Sequence, residues 1–430
     1  MIIKKLLFFS VICQYSFAAI AQTKGIDKII TLQNTTRIIS TLADDSMQGR
    51  LTFTPGIEKA ANFIAKEFKN IGLKPIQPGI YLQKFVMISA HQTSLSANID
   101  GSSINENKII IITSSPQLSI NQNSGYAVTH ISAHDDFYTK VMENINAKSN
   151  RLVLVDDSLQ NRFQRLIRLK ENCFKSNKSI IFLLTSNTPK TYAINATNDI
   201  TEKNLANVVG LLPGKSKKNE YVIFSGHYDH LGIQHNTTGD SIYNGANDDA
   251  AGTTAVIQLA RYFKAIHNNE RTIVFAAFTA EEMGGFGSQY FSRQFEPSNI
   301  VAMFNIEMIG TESRWGANSA YITGYEKTNM GDILQKNLKG SGFTFYPDPY
   351  PDQQLFYRSD NATLARLGVP AHTISTSKMN SEPNYHKVSD EVKTLDLENM
   401  NRIIKSIALS ATSIVNGKDT PSRVDTKALK

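Results

Sequence analysis

Two adjacent glutamates in the segment TIVFAAFTAEEMGG combine reactive side chains with an unusual position. Residues 272–280 form an apolar run that predicts a strand buried on both faces, and Glu281 and Glu282 follow where this strand ends. Strands of an α/β sheet deliver the side chains at their carboxyl ends into the crevice where such folds bind ligands. A pair of carboxylates there could hold a metal ion with one member and move a proton with the other.

The same kind of chemistry recurs at the other strand ends of the second half of the chain. These residues are His227, Asp229, Asp248, Asp249, Glu307, Tyr385 and His386. Neighbouring strands lie about 5 Å apart. We therefore expect the five residues best suited to bind metal to converge on one crevice, namely His227, Asp248, Glu282, Glu307 and His386.

Charge indicates how many cations such a crevice would need. Carboxylates gathered in a partly dry pocket repel one another and raise their pKa values unless cations neutralise them. Three ligand carboxylates and the carboxylate of Glu281 carry four negative charges, which two divalent ions would balance. A donor set of imidazoles and carboxylates without thiolate favours zinc in an open catalytic site. The sequence therefore predicts two Zn²⁺ per chain.

Each of these residues has a simpler interpretation when taken alone. An aspartate pair before a helix is commonly a cap, so Asp249 could cap the helix that follows it. A single loop histidine or a glutamate pair is usually solvated. The occurrence of all five candidates in successive elements favours the metal site. Six of the seven other histidines lack this pattern and are predicted to lie on the surface, namely His130, His134, His230, His235, His267 and His372.

The elements that must position these residues alternate between strand and helix. From Val208 onward the pattern indicates an α/β fold, a mostly parallel mixed sheet flanked by helices. An amphipathic helix is predicted near the start, over 54–73. Between these parts, residues 96–203 contain polar turns and a strand–helix–strand pattern of their own. We expect this segment to be a smaller α/β domain inserted into the first one.

The predicted domain boundaries follow from these changes in pattern. Residues 22–95 would be the first part of the main domain, 96–203 the insert, 204–417 the catalytic part and 418–430 a polar tail. Residues 1–21 have two lysines, an apolar run and the ending Ala19-Ile20-Ala21, which is typical of a secretory signal peptide. No later apolar run approaches the roughly 18 residues of a membrane helix. We expect an exported protein, periplasmic or secreted, without stable membrane insertion.

Charge and cysteine content limit the partners. The formal net charge of the 430 residues is +7, and no dense basic cluster with interleaved aromatics is present, so nucleic-acid binding is not expected. Cys13 lies in the predicted signal peptide, which leaves Cys173 without a partner for a disulfide. The sequence does not indicate an oligomeric state.

Six motifs carry a resemblance to a known family. In chain order they are HYDHLG, NGANDDAAG, TAEEMGGFGSQYF, NIEMIG, RSDNATLARLGVPAH and NYHKVSDE. This stretch, 206–415, resembles the co-catalytic zinc peptidases of the bacterial leucyl aminopeptidase and glutamate carboxypeptidase type. The insert is faintly similar to a protease-associated domain, a lid module.

The resemblance implies a role for each site residue. His227 and Glu307 would bind one zinc, His386 and Glu282 the other, and Asp248 would bridge them. Asp229 would orient a histidine ligand, Glu281 would be the general base, and the Asp248-Asp249 peptide would be cis. Tyr385 or Arg358 could help to hold an oxyanion. One position departs from the family pattern, because an aspartate usually stands where this chain has Glu307.

The resemblance also implies an activity. A water or hydroxide held between two zinc ions would attack the scissile carbonyl of a peptide, with Glu281 as the base. An exported aminopeptidase acting on peptides is the function expected. The alternatives are a glutaminyl cyclase-like acyltransferase on the same fold, a carboxypeptidase or dipeptidase, and a non-catalytic receptor-like module.

Overall fold

The computed structural model describes residues 25–235 and 238–429. The predicted signal peptide, 1–21, lies outside the described residues. The described chain divides into two compact units. The first unit contains the residues up to 84 and those from 206 onward, and the second contains residues 85–205.

Both units contain strands and helices, numbered in chain order. The strands are β1 Lys74–Pro75, β2 Leu82–Ile99, β3 Ser102–Ser103, β4 Ile109–Ile112, β5 Gln117–Asn121, β6 Ala127–Ile131, β7 Arg151–Val155, β8 Cys173–Phe174, β9 Ile180–Leu184, β10 Tyr192–Leu212, β11 Lys217–His227, β12 Gly232–Ile233, β13 Ile242–Tyr243, β14 Arg271–Phe278, β15 Ile300–Ile306, β16 Ser319–Ile322, β17 Thr344–Pro347 and β18 Ala371–Ser375. The helices are α1 Leu32–Leu42, α2 Pro55–Ile71, α3 Phe137–Ile145, α4 Gln160–Phe163, α5 Ala251–Ile266, α6 Phe286–Ser292, α7 Met330–Asn337, α8 Asn361–Ala365, α9 Leu397–Ser410 and α10 Thr412–Val415.

The sheet of the first unit is mixed and is centred on β11. This strand pairs in parallel with β14 and with β15, and β15 pairs in parallel with β18. The carboxyl-terminal part of β10 runs antiparallel to β14, and β16 runs antiparallel to β18. The predicted fold class is therefore confirmed. Since β11, β14, β15 and β18 are parallel, their carboxyl ends lie at one edge of the sheet.

Both faces of this sheet are covered, as the apolar run of residues 272–280 predicts. Alternate residues of β14 enter different hydrophobic clusters. Ile273 and Phe275 pack in the cluster that contains α1, α2, α5 and α9, whereas Val274 and Ala276 pack in the cluster that contains α6 and α8. The period of two residues along a strand explains this division. The strand ends two residues earlier than predicted, at Phe278.

Two predicted helices in the first unit are found with small changes. The helix near the start is α2, and Gly72 ends it in a left-handed conformation. The sequence pattern also predicts a last helix over about 396–415, and this helix is interrupted after Ser410, so that it forms α9 and α10. The predicted polar tail contacts this unit through Arg423, which donates to the carbonyl oxygens of Ile300 and Pro297.

The second unit has a four-stranded sheet of its own, in the order β4-β9-β7-β6. β7 and β9 are parallel, as the strand–helix–strand pattern predicts. The helical segment between them is short, because only Gln160–Phe163 is α-helical and Gln164–Lys170 is a 3-10 helix. The predicted insert, 96–203, lies within this unit. Its lid role stays a prediction.

Two further sequence expectations concern membranes and cysteines. Across residues 25–235 and 238–429, no helix has both the length and the apolar character that a membrane span needs. Cys173 is a free, half-buried thiol, and burial raises its pKa to about 11.

Candidate metal centre

Three predicted metal ligands meet where the central strands end. His227 is the last residue of β11, Glu307 follows the last residue of the adjacent β15, and Asp248 lies in the turn before α5. Each of them offers a donor atom, and these atoms all lie within 4.8 Å of one another. The His227 Nε2 is 3.1 Å from Asp248 Oδ1. We call His227, Asp248 and Glu307 the inner group, because His227 and Asp248 are buried.

The other two predicted ligands meet on the opposite side of Asp248. His386 Nε2 is 3.2 Å from Asp248 Oδ2 and 3.2 Å from Glu282 Oε2. We call His386, Asp248 and Glu282 the outer group, because the His386 side chain is 34% exposed. The two oxygens of Asp248 thus face two different histidines, which is the arrangement that a bridging carboxylate requires.

These donors fit divalent cations. Zinc–ligand bonds of about 2.0–2.2 Å in a tetrahedral site place neighbouring ligand atoms about 3.4 Å apart. The observed separations of 3.1 and 3.2 Å are close to that value. In addition, His227 Nε2 and Glu307 Oε2 are buried without a hydrogen-bond partner among the described residues. Such unpaired polar atoms cost free energy unless a ligand satisfies them.

The electrostatics of the two groups also favour a cation. Burial raises the pKa of Glu307 to about 7. The pKa of His386 rises to about 10 because its ring bonds to the carboxylates of Asp248 and Glu282. Burial opposes ionisation of Asp248, but the imidazole rings of His227 and His386, which lie beside its two oxygens, hold its pKa below its ordinary value. In the metal-free chain, protons and imidazolium therefore balance charge that metal ions could balance instead.

Glu281 lies beside these groups but belongs to neither of them. Its side chain lines the same cavity as Asp248, Glu282 and Glu307, and burial raises its pKa. A carboxylate in this position can accept a proton from a molecule bound in the cavity.

Asp229 holds the two neighbouring glutamates in place. Its Oδ1 accepts a hydrogen bond from the amide of Glu281 at 3.1 Å, and its Oδ2 accepts one from the amide of Glu282 at 3.3 Å. The His227 Nδ1 lies 3.2 Å from the carbonyl oxygen of Asp229 and 3.6 Å from its carboxylate. The predicted contact with a histidine ligand is thus joined by a second task, the orientation of the loop that carries Glu281 and Glu282.

Asp249 ties together three parts of the inner group. Its carboxylate accepts hydrogen bonds from the amides of Gly252, Met308 and His227, at 2.9, 3.1 and 3.2 Å. The bond to Gly252 lies at the start of α5, where the sequence allows a capping role. The Asp248-Asp249 peptide is cis, as the resemblance implies.

Comparison with known proteins identifies the family. Residues 207–411 match the sequence profile of the family described as Peptidase family M28. This part of the chain belongs to that family. The matched residues contain every predicted ligand of the inner and outer groups.

Individual relatives agree with this assignment. A protein of Pyrenophora teres f. teres named "Probable zinc metalloprotease" is 26% identical over 239 residues, which are 51% of this chain and 51% of that protein. "Leucine aminopeptidase 1" of Neurospora crassa is 26% identical over 207 residues, which are 45% of this chain and 50% of that protein. The chain thus spans about half the length of these curated relatives.

Solved structures show the same fold. An aminopeptidase from Aneurinibacillus sp. strain AM-1 superposes with a TM-score of 0.53 and 16% identity, covering 94% of this chain and 98% of that one. A zinc aminopeptidase from Bacillus subtilis superposes with a TM-score of 0.55 and 15% identity, covering 93% and 97%.

The M28 domain contains buried residues that the sequence pattern did not single out. Asp390 accepts hydrogen bonds from the amides of Asn247 and Asp248, at 2.9 and 3.0 Å, and so holds the backbone of Asp248. Burial raises the pKa of Asp390 to about 6. Its position four residues after His386, in the same motif, is a signal that could have identified it.

Arg50, which lies outside the matched residues 207–411, is a second buried residue that supports the site. It is fully buried and donates to backbone carbonyl oxygens of four residues: Leu42, Tyr228, Asn244 and Gly245, at 2.5–2.8 Å. Tyr228 follows His227, and Gly245 precedes Asp248 by three residues. The guanidinium therefore connects the two loops that carry the inner group.

Two of the six histidines that were predicted to lie on the surface are buried instead. His230 and His372 have exposures of 0% and 1%, so their predicted surface position is wrong. The adjacent residues Leu231 and Ala371 are apolar, which is a weak signal for burial. His130, His134, His235 and His267 are exposed, as predicted.

Tyr385 and Arg358 both line the cavity of the M28 domain. The Tyr385 ring stacks on the His386 ring with a centroid distance of 3.9 Å, and burial raises the pKa of its hydroxyl. Arg358 donates to Gln353 Oε1 at 3.1 Å. Both side chains therefore lie where a bound substrate could reach them, and their catalytic roles stay predictions.

Proposed function

We propose that this chain is an exported zinc aminopeptidase that removes amino-terminal residues from peptides. One observation carries the proposal. The carboxylate of Asp248 lies between His227 and His386, and Glu281 lines the same cavity outside both donor groups. This arrangement supplies ligands for two metal ions and, beside them, a separate proton acceptor. Family M28 and the relatives named as zinc metalloprotease and leucine aminopeptidase support it.

The position of each residue determines whether it would bind metal, transfer a proton or orient a neighbour. His227, Asp248 and Glu307 would hold one zinc, and His386, Asp248 and Glu282 would hold the other. When bound, two zinc ions supply Lewis-acid activation of water and of the peptide carbonyl. Glu281 takes the proton of the attacking water and passes it to the leaving amine. Asp229 fixes the backbone of Glu281, so the base keeps its distance from the ligands.

A substrate panel tests this function. The purified protein is incubated with aminoacyl 4-nitroanilides, with the same compounds blocked by an amino-terminal acetyl group, with acetylated peptides that present a free carboxyl terminus, and with a peptide that begins with glutamine. We expect release from the free aminoacyl compounds only, and loss of that release after chelation with recovery on adding zinc. Removal of the carboxyl-terminal residue from an acetylated peptide, or cyclisation of an amino-terminal glutamine without hydrolysis, would overturn the proposal in favour of a carboxypeptidase or an acyltransferase.

A further inference from the structure

His230 lies next to the outer group and contacts one of its members, Glu282. It lies three residues after His227 and is fully buried. Its Nδ1 is 2.9 Å from Glu282 Oε1, while Oε2 of the same carboxylate is 3.2 Å from His386 Nε2. Because an ionised carboxylate only accepts hydrogen bonds, the His230 Nδ1 carries the proton and donates it. Two imidazoles thus face the two oxygens of one glutamate.

The distances distinguish the tasks of these two histidines. His386 Nε2 lies 3.2 Å from both Asp248 and Glu282, which is close to the separation of about 3.4 Å between ligands of one zinc. His230 Nδ1 lies 4.0 Å from Asp248 Oδ2, which is longer than that separation. His230, Asp248 and Glu282 also offer donor atoms within 4.8 Å of one another. The shorter contacts of His386 nevertheless make it the imidazole better placed to share a metal with Asp248, and leave His230 as a hydrogen-bond partner of Glu282.

The surroundings of His230 prevent its ring from moving away. Its amide donates to the carbonyl oxygen of Arg50 at 3.1 Å, and Arg50 is itself held by four carbonyl groups. Gly245 packs directly against the imidazole, since a side chain at this glycine would collide with the ring. The His386 ring lies at a centroid distance of 5.8 Å on another side. His230 is therefore a rigid donor.

Glu282 needs such a donor more than the inner ligands do. Glu307 and His227 are attached to strands of the central sheet, whereas Glu282 lies in a turn that begins after β14 has ended. Its neighbour Glu281 must meanwhile stay free of metal to act as a base. A carboxylate on a turn can rotate unless one of its oxygens is held.

We propose that His230 is a positioning residue that holds Glu282 Oε1, so that Oε2 is directed to the metal of the outer group. This inference rests on the zinc-dependent function proposed above. Hydrogen-bond partners behind metal ligands are typically worth 10- to 100-fold in metal affinity. Loss of the His230 donor should therefore weaken one zinc by about 10- to 100-fold and leave the other unchanged.

Three substitutions test the proposal. Each variant is freed of metal with a chelator and is then titrated with zinc chloride by calorimetry. His230→Leu removes the donor and keeps most of the volume. His230→Asn keeps an N–H group near the position of Nδ1, and His230→Gln places it near Nε2 instead. We expect His230→Leu and His230→Gln to lower the affinity for one of the two zinc ions by about 10- to 100-fold. His230→Asn should recover most of that loss.

His372→Leu is the matched control. His372 is equally buried in the same unit, and its ring bonds to the carbonyl oxygen of Thr323 and to the Thr328 hydroxyl. This variant should lose stability without any change in zinc affinity. If His230→Leu does not fold, the pair His230→Asn and His230→Gln still decides the question.

Three results would overturn the proposal. Unchanged zinc affinity in both His230→Leu and His230→Gln would make His230 a packing residue. Complete loss of one zinc would make it a ligand. Equal behaviour of His230→Asn and His230→Gln would remove the role of the Nδ1 donor. The titration contains no peptide, so a failure of the proposed peptidase activity would be seen separately.

Discussion

The inner and outer groups share Asp248 but are built from different kinds of structure. His227 ends a central strand and is 1% exposed, whereas His386 is 34% exposed and lies on a long loop after β18. The inner group is held by Asp249 and Arg50, which bond to backbone atoms of the loops around it. The outer group is held through the side chain of Glu282. One centre thus combines a site fixed by the sheet with a site fixed by side-chain contacts.

Removal of the shared ligand should give the largest effect. Asp248→Ala takes one charged ligand from both groups, so we expect both zinc ions to bind more weakly, by more than the roughly 10- to 100-fold that a partner behind a ligand is worth. Metal analysis after dialysis against a weak chelator measures this. Retention of one zinc at its original affinity would show that the two groups do not share Asp248.

Substitutions at Glu281 and Glu282 should affect different properties, turnover alone in the first case and zinc binding as well in the second. Glu281→Gln should keep the zinc content of the native protein and lose roughly 10²- to 10⁴-fold in kcat, the usual worth of a positioned general base. Glu282→Gln should lose zinc from the outer group as well as rate. Turnover and metal content are measured on the same samples. Near-native turnover of Glu281→Gln at saturating zinc would exclude Glu281 from the mechanism.

Substitution of Arg50 tests how much its hydrogen bonds to the loops around the inner group contribute to stability. Arg50→Met leaves four buried carbonyl oxygens without their donor, and each unsatisfied group costs about 1–3 kcal/mol. We expect the free energy of unfolding to fall by about 3 kcal/mol or more, measured in urea on the chelated protein. Arg50→Lys should recover only part of it, because an ammonium cannot reproduce the planar guanidinium. Equal stability of Arg50→Met and the native protein would contradict this support.

Substitution of His227 and of His386 compares how much a buried and a partly exposed histidine contribute to stability. In the chelated protein, His227→Ala should lower the free energy of unfolding by about 2–4 kcal/mol, since it leaves a cavity at a buried strand end. His386→Ala should lower it by about 1 kcal/mol or less, because its ion pairs are partly exposed. Urea unfolding of both variants provides the measurement. Similar losses would mean that the inner and outer groups are equally integral to the fold.

The smallest effect is expected at Glu307, where the chain departs from the family pattern. If the backbone has adjusted to the longer side chain, Glu307→Asp leaves a gap too wide for a zinc–oxygen bond of about 2.0–2.2 Å. The zinc of the inner group should then bind about 10-fold more weakly, while that of the outer group is unchanged. Zinc titration of the two proteins decides it, and equal affinity at both sites would show that the backbone has not adjusted.

The sequence alone was sufficient for the parts of this protein that depend on local pattern. The apolar run before Glu281 predicted a strand buried on both faces, and β14 packs into a separate hydrophobic cluster on each face. Because parallel strands end at one edge, the order of strands and the acids and histidines after them was enough to predict which five candidate ligands meet. Their convergence needed no knowledge of side-chain contacts.

Only the tertiary structure showed which residues hold those candidate ligands in place. His230, Arg50 and Asp390 act through contacts between segments that are distant in sequence: Arg50 bonds to the carbonyl oxygen of Tyr228, 178 residues away, and Asp390 bonds to the amide of Asp248, 142 residues away. No periodicity records such pairs, since each member alone is an ordinary polar residue in a loop. The burial of His230 follows from the packing of Gly245 and the Arg50 backbone around it. Metal-binding residue types at strand ends are visible in the sequence, whereas the geometry that orients them exists only once the loops have packed together.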